Sequence, residues 1–98
     1  MKNVLWWMIV SSKGGVNRAE IIRYLRERPY TANQLAETLK LDYTTIRYHL
    51  KVLQDNNIVS GVGKKYGETY YLTPQMEANY KVFEEIIERT NLEKIRKE

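Results

Sequence analysis

The chain has 98 residues, of which 43% are hydrophobic and 29% charged, and its formal charge is +4. This length suits one domain with a modest core, and the composition excludes a disordered tail and a membrane-embedded chain. Because cysteine is absent and histidine occurs once, disulfides, cysteine nucleophiles and a metal site of several histidines within one chain are excluded as well.

The chain begins with an apolar segment, residues 1–12, which contains the unbroken apolar run VLWWMIV. Seven residues do not cross a bilayer, which takes about 20. The segment also lacks the features of a secretory signal, so we expect an intracellular, cytoplasmic protein without membrane insertion. Periodicity does not separate helix from strand over so short a run, and we predict a helix. The Ser/Gly cluster at residues 11–15 predicts a loop.

A first amphipathic helix is predicted to begin at Asn17, an N-cap residue with Glu20 three positions later. Pro29 ends it. Its apolar face contains Ile21 and Leu25. The arginines are expected to point mostly away from that face, namely Arg18, Arg23, Arg26 and Arg28.

Two closely spaced helices follow. Thr31 and Gln34 have the spacing of a capping box, which opens the second helix. Asp42 is predicted to cap a third helix that ends near Asn56. The apolar side of the third helix has i, i+4, i+7 spacing and consists of Ile46, Leu50 and Leu53.

Two β-favouring stretches, residues 58–59 and 69–72, flank a Gly/Lys turn and predict a hairpin, called the wing below. Thr73 and Pro74 have the pattern of an N-cap followed by proline at the first helical position, so a last helix starts there. A break is expected around Thr90 and Asn91, where the apolar periodicity slips. The apolar seam of this helix has 4, 3, 4 spacing and consists of Met76, Tyr80, Phe83 and Ile87.

The stretch TANQLAETLKLDYTTIRYHLKVLQDNNIV, residues 31–59, resembles the helix-turn-helix of the ArsR-like winged-helix regulators, particularly the small archaeal members. With the hairpin and the last helix, the resemblance covers about residues 17–87. It implies a mainly α fold with a small antiparallel β-hairpin, and a DNA-binding transcription regulator that is usually dimeric. Metal sensing is not carried over, because the cysteine and histidine clusters of the metal-sensing members are absent.

The predicted organisation is a single winged-helix domain, residues 1–98. It comprises the apolar N-terminal segment, residues 1–12, the winged helix-turn-helix core, residues 17–73, and a C-terminal dimerisation helix, residues 74–98. Residues 13–73, which include this core, have ten Lys or Arg against six Asp or Glu, whereas residues 74–98 have five against six. The positive excess therefore lies on the part that is predicted to bind DNA.

The second helix of a helix-turn-helix lies in the major groove, where Arg47 has the donors to bind guanine O6 and N7. The alternative is an ordinary solvated helix face, for which tyrosine and threonine are unusual choices. The residues predicted to contact DNA lie opposite the apolar face and are Tyr43, Thr44, Thr45, Arg47, Tyr48 and Lys51.

The tip of the wing is predicted to reach the phosphate backbone or the minor groove through Lys64, Lys65 and Tyr66. A solubilising hairpin tip is the alternative. His49 is interpreted as a partly buried, hydrogen-bonded structural residue. Since no phosphate loop, nucleophile elbow or metal motif is present, we predict no catalytic residues, no metal and no cofactor, and hence not an enzyme.

The two ends of the chain are too apolar to be left in water, and we predict that they pack against each other and against the same pair in a second subunit. The alternative is intramolecular packing alone, which gives a monomer with a larger core. The predicted dimer interface contains Leu5, Trp6, Trp7, Ile9, Met76, Tyr80, Phe83 and Ile87.

The predicted function is therefore sequence-specific binding of double-stranded DNA by a homodimer that regulates transcription. The leading alternative is a winged-helix module that binds another protein in transcription or other machinery. A third hypothesis uses the N-terminal segment for attachment to a membrane surface. The sequence does not identify a small-molecule effector.

Overall fold

A computed structural model of the chain describes residues 1–64 and 67–90. Its strands are β1 (Tyr30–Thr31), β2 (Val59–Val62) and β3 (Thr69–Leu72). The mainly helical architecture with a small antiparallel sheet confirms the predicted fold class. The helices are α1 (Lys2–Trp6), which continues as a π-helical segment (Trp7–Ser11), α2 (Gly15–Glu27), α3 (Ala32–Leu39), α4 (Tyr43–Asp55), α5 (Pro74–Ala78) and α6 (Tyr80–Thr90).

The sheet contains the predicted hairpin and one further strand, in the order β1-β3-β2. In the antiparallel hairpin Val59 pairs with Leu72 and Val62 with Thr69. On the other edge of β3, Tyr30 pairs with Tyr70. The sequence analysis missed β1, because two residues are too few to form an alternating pattern.

Local capping signals predicted the helix starts correctly at three places. The Thr31 backbone N–H donates to Gln34 Oε1 (2.9 Å) and the Gln34 N–H donates to Thr31 Oγ1 (3.1 Å), which completes the capping box. Asp42 accepts from the Thr45 N–H at the start of α4. Thr73 accepts from the Met76 N–H at the start of α5.

The predicted start of the first amphipathic helix is wrong. Helix α2 begins at Gly15, and Asn17 lies inside it rather than at its N-cap. Gly14 supplies the turn with a φ of 83°, a conformation that favours glycine. Gly15 allows close approach to the preceding segment, because a Cβ there would lie 1.8 Å from the carbonyl oxygen of Ile9.

The last helix is interrupted where the sequence analysis predicted none. Asn79, with φ −108° and ψ 11°, separates α5 from α6, and its side chain donates to the Gln75 carbonyl (2.8 Å). The interruption leaves the apolar seam in place, since Met76 and Phe83 are both buried. The break expected around Thr90 and Asn91 falls at the limit of the described residues, because Asn91 lies outside them.

The N-terminal segment is helical, as predicted, and packs against α6 of the same chain. Leu5, Met8 and Ile9 are buried in the same core cluster as Phe83 and Ile87. The two apolar ends therefore cover each other within one chain. Among the residues described, no helix combines the length and the apolar composition that crossing a bilayer requires.

Candidate nucleic-acid interface

Helices α3 and α4 are joined by a turn of three residues, 40–42. Lys40 adopts the left-handed conformation, with φ 57° and ψ 44°, and the Leu41 N–H closes the turn on the Ala36 carbonyl (3.0 Å). Leu35 of α3 and Leu50 of α4 are buried in the core. Because the core fixes the inner sides of both helices, the opposite side of α4 faces outward.

The outward side of α4 presents most of the side chains that were predicted to contact DNA. Tyr43 and Tyr48 are 41% and 61% exposed, and Thr44 and Lys51 are exposed too. Thr45 is half-buried. Lys51 pairs with exposed Asp55 at 2.9 Å in an i, i+4 ion pair, which is weak enough for the ammonium to exchange partners.

Arg47, the residue predicted to read a base, is half-buried and already hydrogen-bonded. Its Nη1 donates to the hydroxyl oxygen of Tyr70 (2.9 Å), and the Tyr70 hydroxyl donates to Glu68 Oε1 (3.1 Å). The sequence analysis missed Tyr70 and Glu68. The available signal was alternation along β3, where Tyr70 is buried and Tyr71 is exposed.

The Tyr70 hydroxyl is chemically suited to connect the Arg47 guanidinium with the Glu68 carboxylate. Burial raises the pKa of Tyr70, and its hydrogen bond to Glu68 raises that pKa further, whereas the charge of Arg47 acts in the opposite direction. The hydroxyl therefore stays protonated at neutral pH and donates to the carboxylate while it accepts from the guanidinium.

These residues line a small pocket of about 10 Å³, the size that holds one water molecule. The pocket lies where the start of α3, the start of α4 and the base of the wing meet. Its lining consists of Thr31, Ala32, Asn33, Tyr43, Arg47, Glu68 and Tyr70.

The wing projects from the sheet between β2 and β3. Lys64 is exposed near its tip, and the Gly67 N–H donates to the Lys64 carbonyl (2.9 Å). Gly63 has a φ of 112°, which a turn at this point requires. Lys65 and Tyr66, the other predicted wing contacts, lie outside the described residues.

The predicted orientation of Arg18 is wrong, since this side chain is 2% exposed. Arg18 has i, i+3 and i+7 spacing to Ile21 and Leu25 and therefore shares their buried face. Its guanidinium donates from Nε to the Met8 carbonyl (3.0 Å). From Nη2 it donates to Ser12 Oγ and to the Lys13 carbonyl (2.7 Å).

His49 is buried and hydrogen-bonded, as predicted. Its Nδ1 lies 3.2 Å from Nη1 of Arg18. Since a guanidinium has donors only, Nδ1 accepts and the imidazole is neutral in this arrangement. Burial lowers the pKa of His49, and the charge of Arg18 lowers it further. Within the described residues no three His, Asp or Glu side chains form a cluster able to hold a metal ion.

The predicted dimer interface divides into two groups. Trp7 is 52% exposed, whereas Trp6 and Tyr80 are half-buried. The remaining five predicted interface residues are buried in the core of the single chain, because α1 and α6 cover each other. This corrects the expectation that these five offer surface to a second subunit. These buried residues are Leu5, Ile9, Met76, Phe83 and Ile87.

A groove of about 410 Å³ lies between Lys2 of α1 and one side of α6. Arg89 stacks over the ring of Trp6 with its guanidinium carbon 5.7 Å from the ring centroid. Two exposed apolar side chains of the N-terminal segment, Trp7 and Val10, lie three positions apart in its π-helical part. The groove is lined by Lys2, Val82, Glu85, Ile86, Glu88 and Arg89.

The exposed helix-turn-helix, the three-stranded sheet and the wing that projects from it define a winged-helix fold. Residues 15–60, which contain α2, α3 and α4, match the model of the family described as "Bacterial regulatory protein, arsR family". This match confirms the family resemblance of the sequence.

Two solved structures share the fold. One is the adhesin competence repressor AdcR from Streptococcus pyogenes, with 18% identity over 76% of this chain and 55% of that chain and a TM-score of 0.59. The other is MarR from Staphylococcus aureus in complex with salicylate and kanamycin, with 19% identity over 84% of this chain and 57% of that chain and a TM-score of 0.65.

The chain thus spans less than two thirds of the length of either structure, and the likeness is one of fold. No curated protein matches its sequence. Since the matched family is one of regulatory proteins, the prediction that the chain is not an enzyme is confirmed.

Proposed function

We propose that the protein is a transcription regulator that binds double-stranded DNA sequence-specifically, with α4 in the major groove. The observation that carries this proposal is the outward side of α4, where Tyr43, Thr44 and Tyr48 stand exposed on the second helix of a helix-turn-helix. In this motif the N-terminal residues of the second helix reach the base edges. Hydroxyl and aromatic groups suit that groove better than they suit bulk water.

The distribution of charge supports the same interface. The positive excess of the chain lies in residues 13–73, which include the helix-turn-helix and the wing. Cationic side chains that replace phosphate counterions supply the sequence-independent part of DNA affinity. Lys51 on α4 and Lys64 on the wing are both exposed and described, and we assign them to phosphate contacts.

The other side chains take separate roles. Arg47 recognises one base, preferably guanine through O6 and N7. Thr44 contacts a thymine methyl group or a phosphate. Tyr48 contacts a sugar or a phosphate, and Thr45 contacts the DNA backbone. From the sequence, Lys65 and Tyr66 are assigned to contacts with the phosphate backbone or the minor groove.

We propose further that the active form is a cytoplasmic homodimer. The support is an apolar surface that the single chain leaves exposed on the N-terminal segment, namely Trp7 and Val10. Trp6 and Tyr80 contribute the parts of their rings that remain exposed. A two-fold dimer places two α4 helices about 34 Å, or 10 base pairs, apart, so the site is an inverted repeat.

Selection of bound duplexes from a random DNA pool tests this function. The proposal predicts an enriched inverted repeat whose half-sites are one helical turn apart. Loss of all enrichment with a folded wild-type protein would contradict sequence-specific binding and favour a winged-helix module that binds another protein. Enrichment of a single half-site would retain DNA binding and reject the dimer.

A further inference from the structure

A hydrogen-bonded chain connects the outward side of α4 to the base of the wing. It runs from Arg47 Nη1 to the Tyr70 hydroxyl (2.9 Å) and from that hydroxyl to Glu68 Oε1 (3.1 Å). Tyr70 is 2% exposed, so its ring has one position in the core. The acceptor for Arg47 is therefore fixed by packing rather than by another mobile surface side chain.

This arrangement limits the freedom of the arginine. A surface arginine loses rotamer freedom when it binds a base, and a side chain held beforehand in one geometry loses less. The guanidinium has five N–H donors, and Tyr70 uses one of them. Donors thus remain for a bidentate contact with a base while the first bond is kept.

The position of Glu68 depends on a glycine across the hairpin. A Cβ on Gly61 would lie 2.1 Å from Glu68 Oε2 and 2.7 Å from its carboxyl carbon. Glycine inside a strand often marks a place where another group approaches closely. Here it makes room for the carboxylate that orients the Tyr70 hydroxyl.

We propose that Tyr70 is a positioning residue for base recognition: its hydroxyl, oriented by Glu68, holds the Arg47 guanidinium in the geometry that reads one base pair. The wing therefore contributes to sequence preference through this chain, in addition to any contact of its tip with DNA. This inference rests on the proposed function, because it concerns how the same interface discriminates between sequences.

Tyr70→Phe tests the inference, because it removes the hydroxyl and keeps the buried ring. The measurement is the dissociation constant, by fluorescence anisotropy, for the selected duplex and for duplexes changed at single base pairs. We expect the preference at one base pair per half-site to fall roughly tenfold, the effect of one lost hydrogen bond to a charged group. Affinity for unrelated DNA and its salt dependence remain at the wild-type values.

The matched control is Tyr71→Phe, which removes the hydroxyl of the neighbouring exposed tyrosine and leaves the preference unchanged. In an Arg47→Ala background, Tyr70→Phe has no further effect on the preference. Gly61→Ala gives a second test if Tyr70→Phe does not fold. It displaces Glu68 and therefore weakens the preference at the same base pair, although the side chains of Arg47, Tyr70 and Glu68 are all retained.

The outcomes separate the two proposals. If folded Tyr70→Phe keeps the full preference, or lowers it equally in the Arg47→Ala background, the positioning role is overturned while DNA binding stands. If the wild type itself discriminates between no sequences, the proposed function fails and the inference fails with it.

Discussion

Arg18 is a buried cation whose hydrogen bonds all join it to neutral groups of the chain. The guanidinium links the carbonyls of Met8 and Lys13 to the ring of His49 on α4. Burial lowers the pKa of Arg18, and Tyr48 partly offsets this, yet a guanidinium stays charged at any ordinary pH. The N-terminal segment and α4 are therefore both hydrogen-bonded to the same side chain.

The neutral state of His49 makes stability depend on pH. Its pKa in the folded chain lies below the ordinary value of 6.5. Between the pKa of His49 in the folded chain and 6.5, the unfolded chain binds more protons than the folded chain does. The stability that neutral His49 contributes is therefore fully present above pH 6.5 and is lost as pH falls through the folded-state pKa. Urea unfolding between pH 5 and 8 measures it.

His49→Asn is the matched control for the pH effect, because its amide oxygen stands at the position of Nδ1, where it can accept from Arg18, but does not titrate. We expect the wild type to lose more free energy of unfolding than this variant when pH falls below 6.5. Parallel curves for the two proteins would show that His49 is not the titrating group.

For Arg47→Ala we expect specific binding to weaken by about 1–3 kcal/mol and the preference at one base position in each half-site to relax. The structure adds a smaller loss of folding stability, about 1 kcal/mol, because the Tyr70 hydroxyl loses its donor. Anisotropy titrations and thermal unfolding measure the two effects. A variant that unfolds more easily but binds with unchanged preference would restrict Arg47 to a structural role.

The sequence correctly predicted that Tyr43, Thr44 and Tyr48 lie on the outward side of α4, because their exposure depends only on the periodicity of this one helix. It missed Tyr70 and Glu68 because the hydrogen bond that links this pair to Arg47 joins Arg47 to Tyr70, 23 positions apart, through the tertiary fold. Arg18 was misplaced for a different reason. Its charge was taken as a sign of exposure, although the spacing puts it on the buried face.

The proposed contact between the wing and the phosphate backbone is tested by substituting Lys64. Lys64→Ala should lower affinity for all DNA sequences similarly and reduce the slope of log affinity against log salt by about one, the effect of one lost phosphate contact. Lys81→Ala, on the exposed side of α6, removes the same charge elsewhere and leaves the slope unchanged. An unaltered slope in Lys64→Ala would mean that this lysine does not contact the DNA backbone.

The elements that sequence patterns predicted well are those whose signals are local. The capping box at Thr31 and the cap at Asp42 each act within four residues. The interruption at Asn79 has no proline or glycine to mark it. Strand β1 exists because β3 supplies its partner, and such pairing is not encoded in two residues.

The packing of α1 against α6 buries residues that would otherwise be available to a second subunit. Leu5 and Phe83 stabilise the single chain, so charged substitutions there would unfold it rather than only separate subunits. Trp7 is the better position for a test, because half of its surface is exposed.

Trp7→Glu should therefore convert a dimer into a folded monomer, because a carboxylate is costly to bury against an apolar partner surface. Sedimentation at micromolar concentration measures the species, and circular dichroism measures the helix content. Tyr48→Glu, on α4, is the control that changes another exposed aromatic residue without changing oligomeric state. Wild-type protein that sediments as one species near 11.7 kDa would reject the dimer and the inverted repeat together.

The most direct measurement of the central proposal is the ratio of two dissociation constants at near-physiological salt. One is for the duplex that selection enriches, and the other is for a duplex of the same length and composition in scrambled order. For a regulator that reads sequence through α4, we expect at least about 10³-fold tighter binding to the selected duplex. A ratio near one, with both affinities falling steeply with salt, would mean that the chain binds phosphate without reading bases and would contradict the proposal.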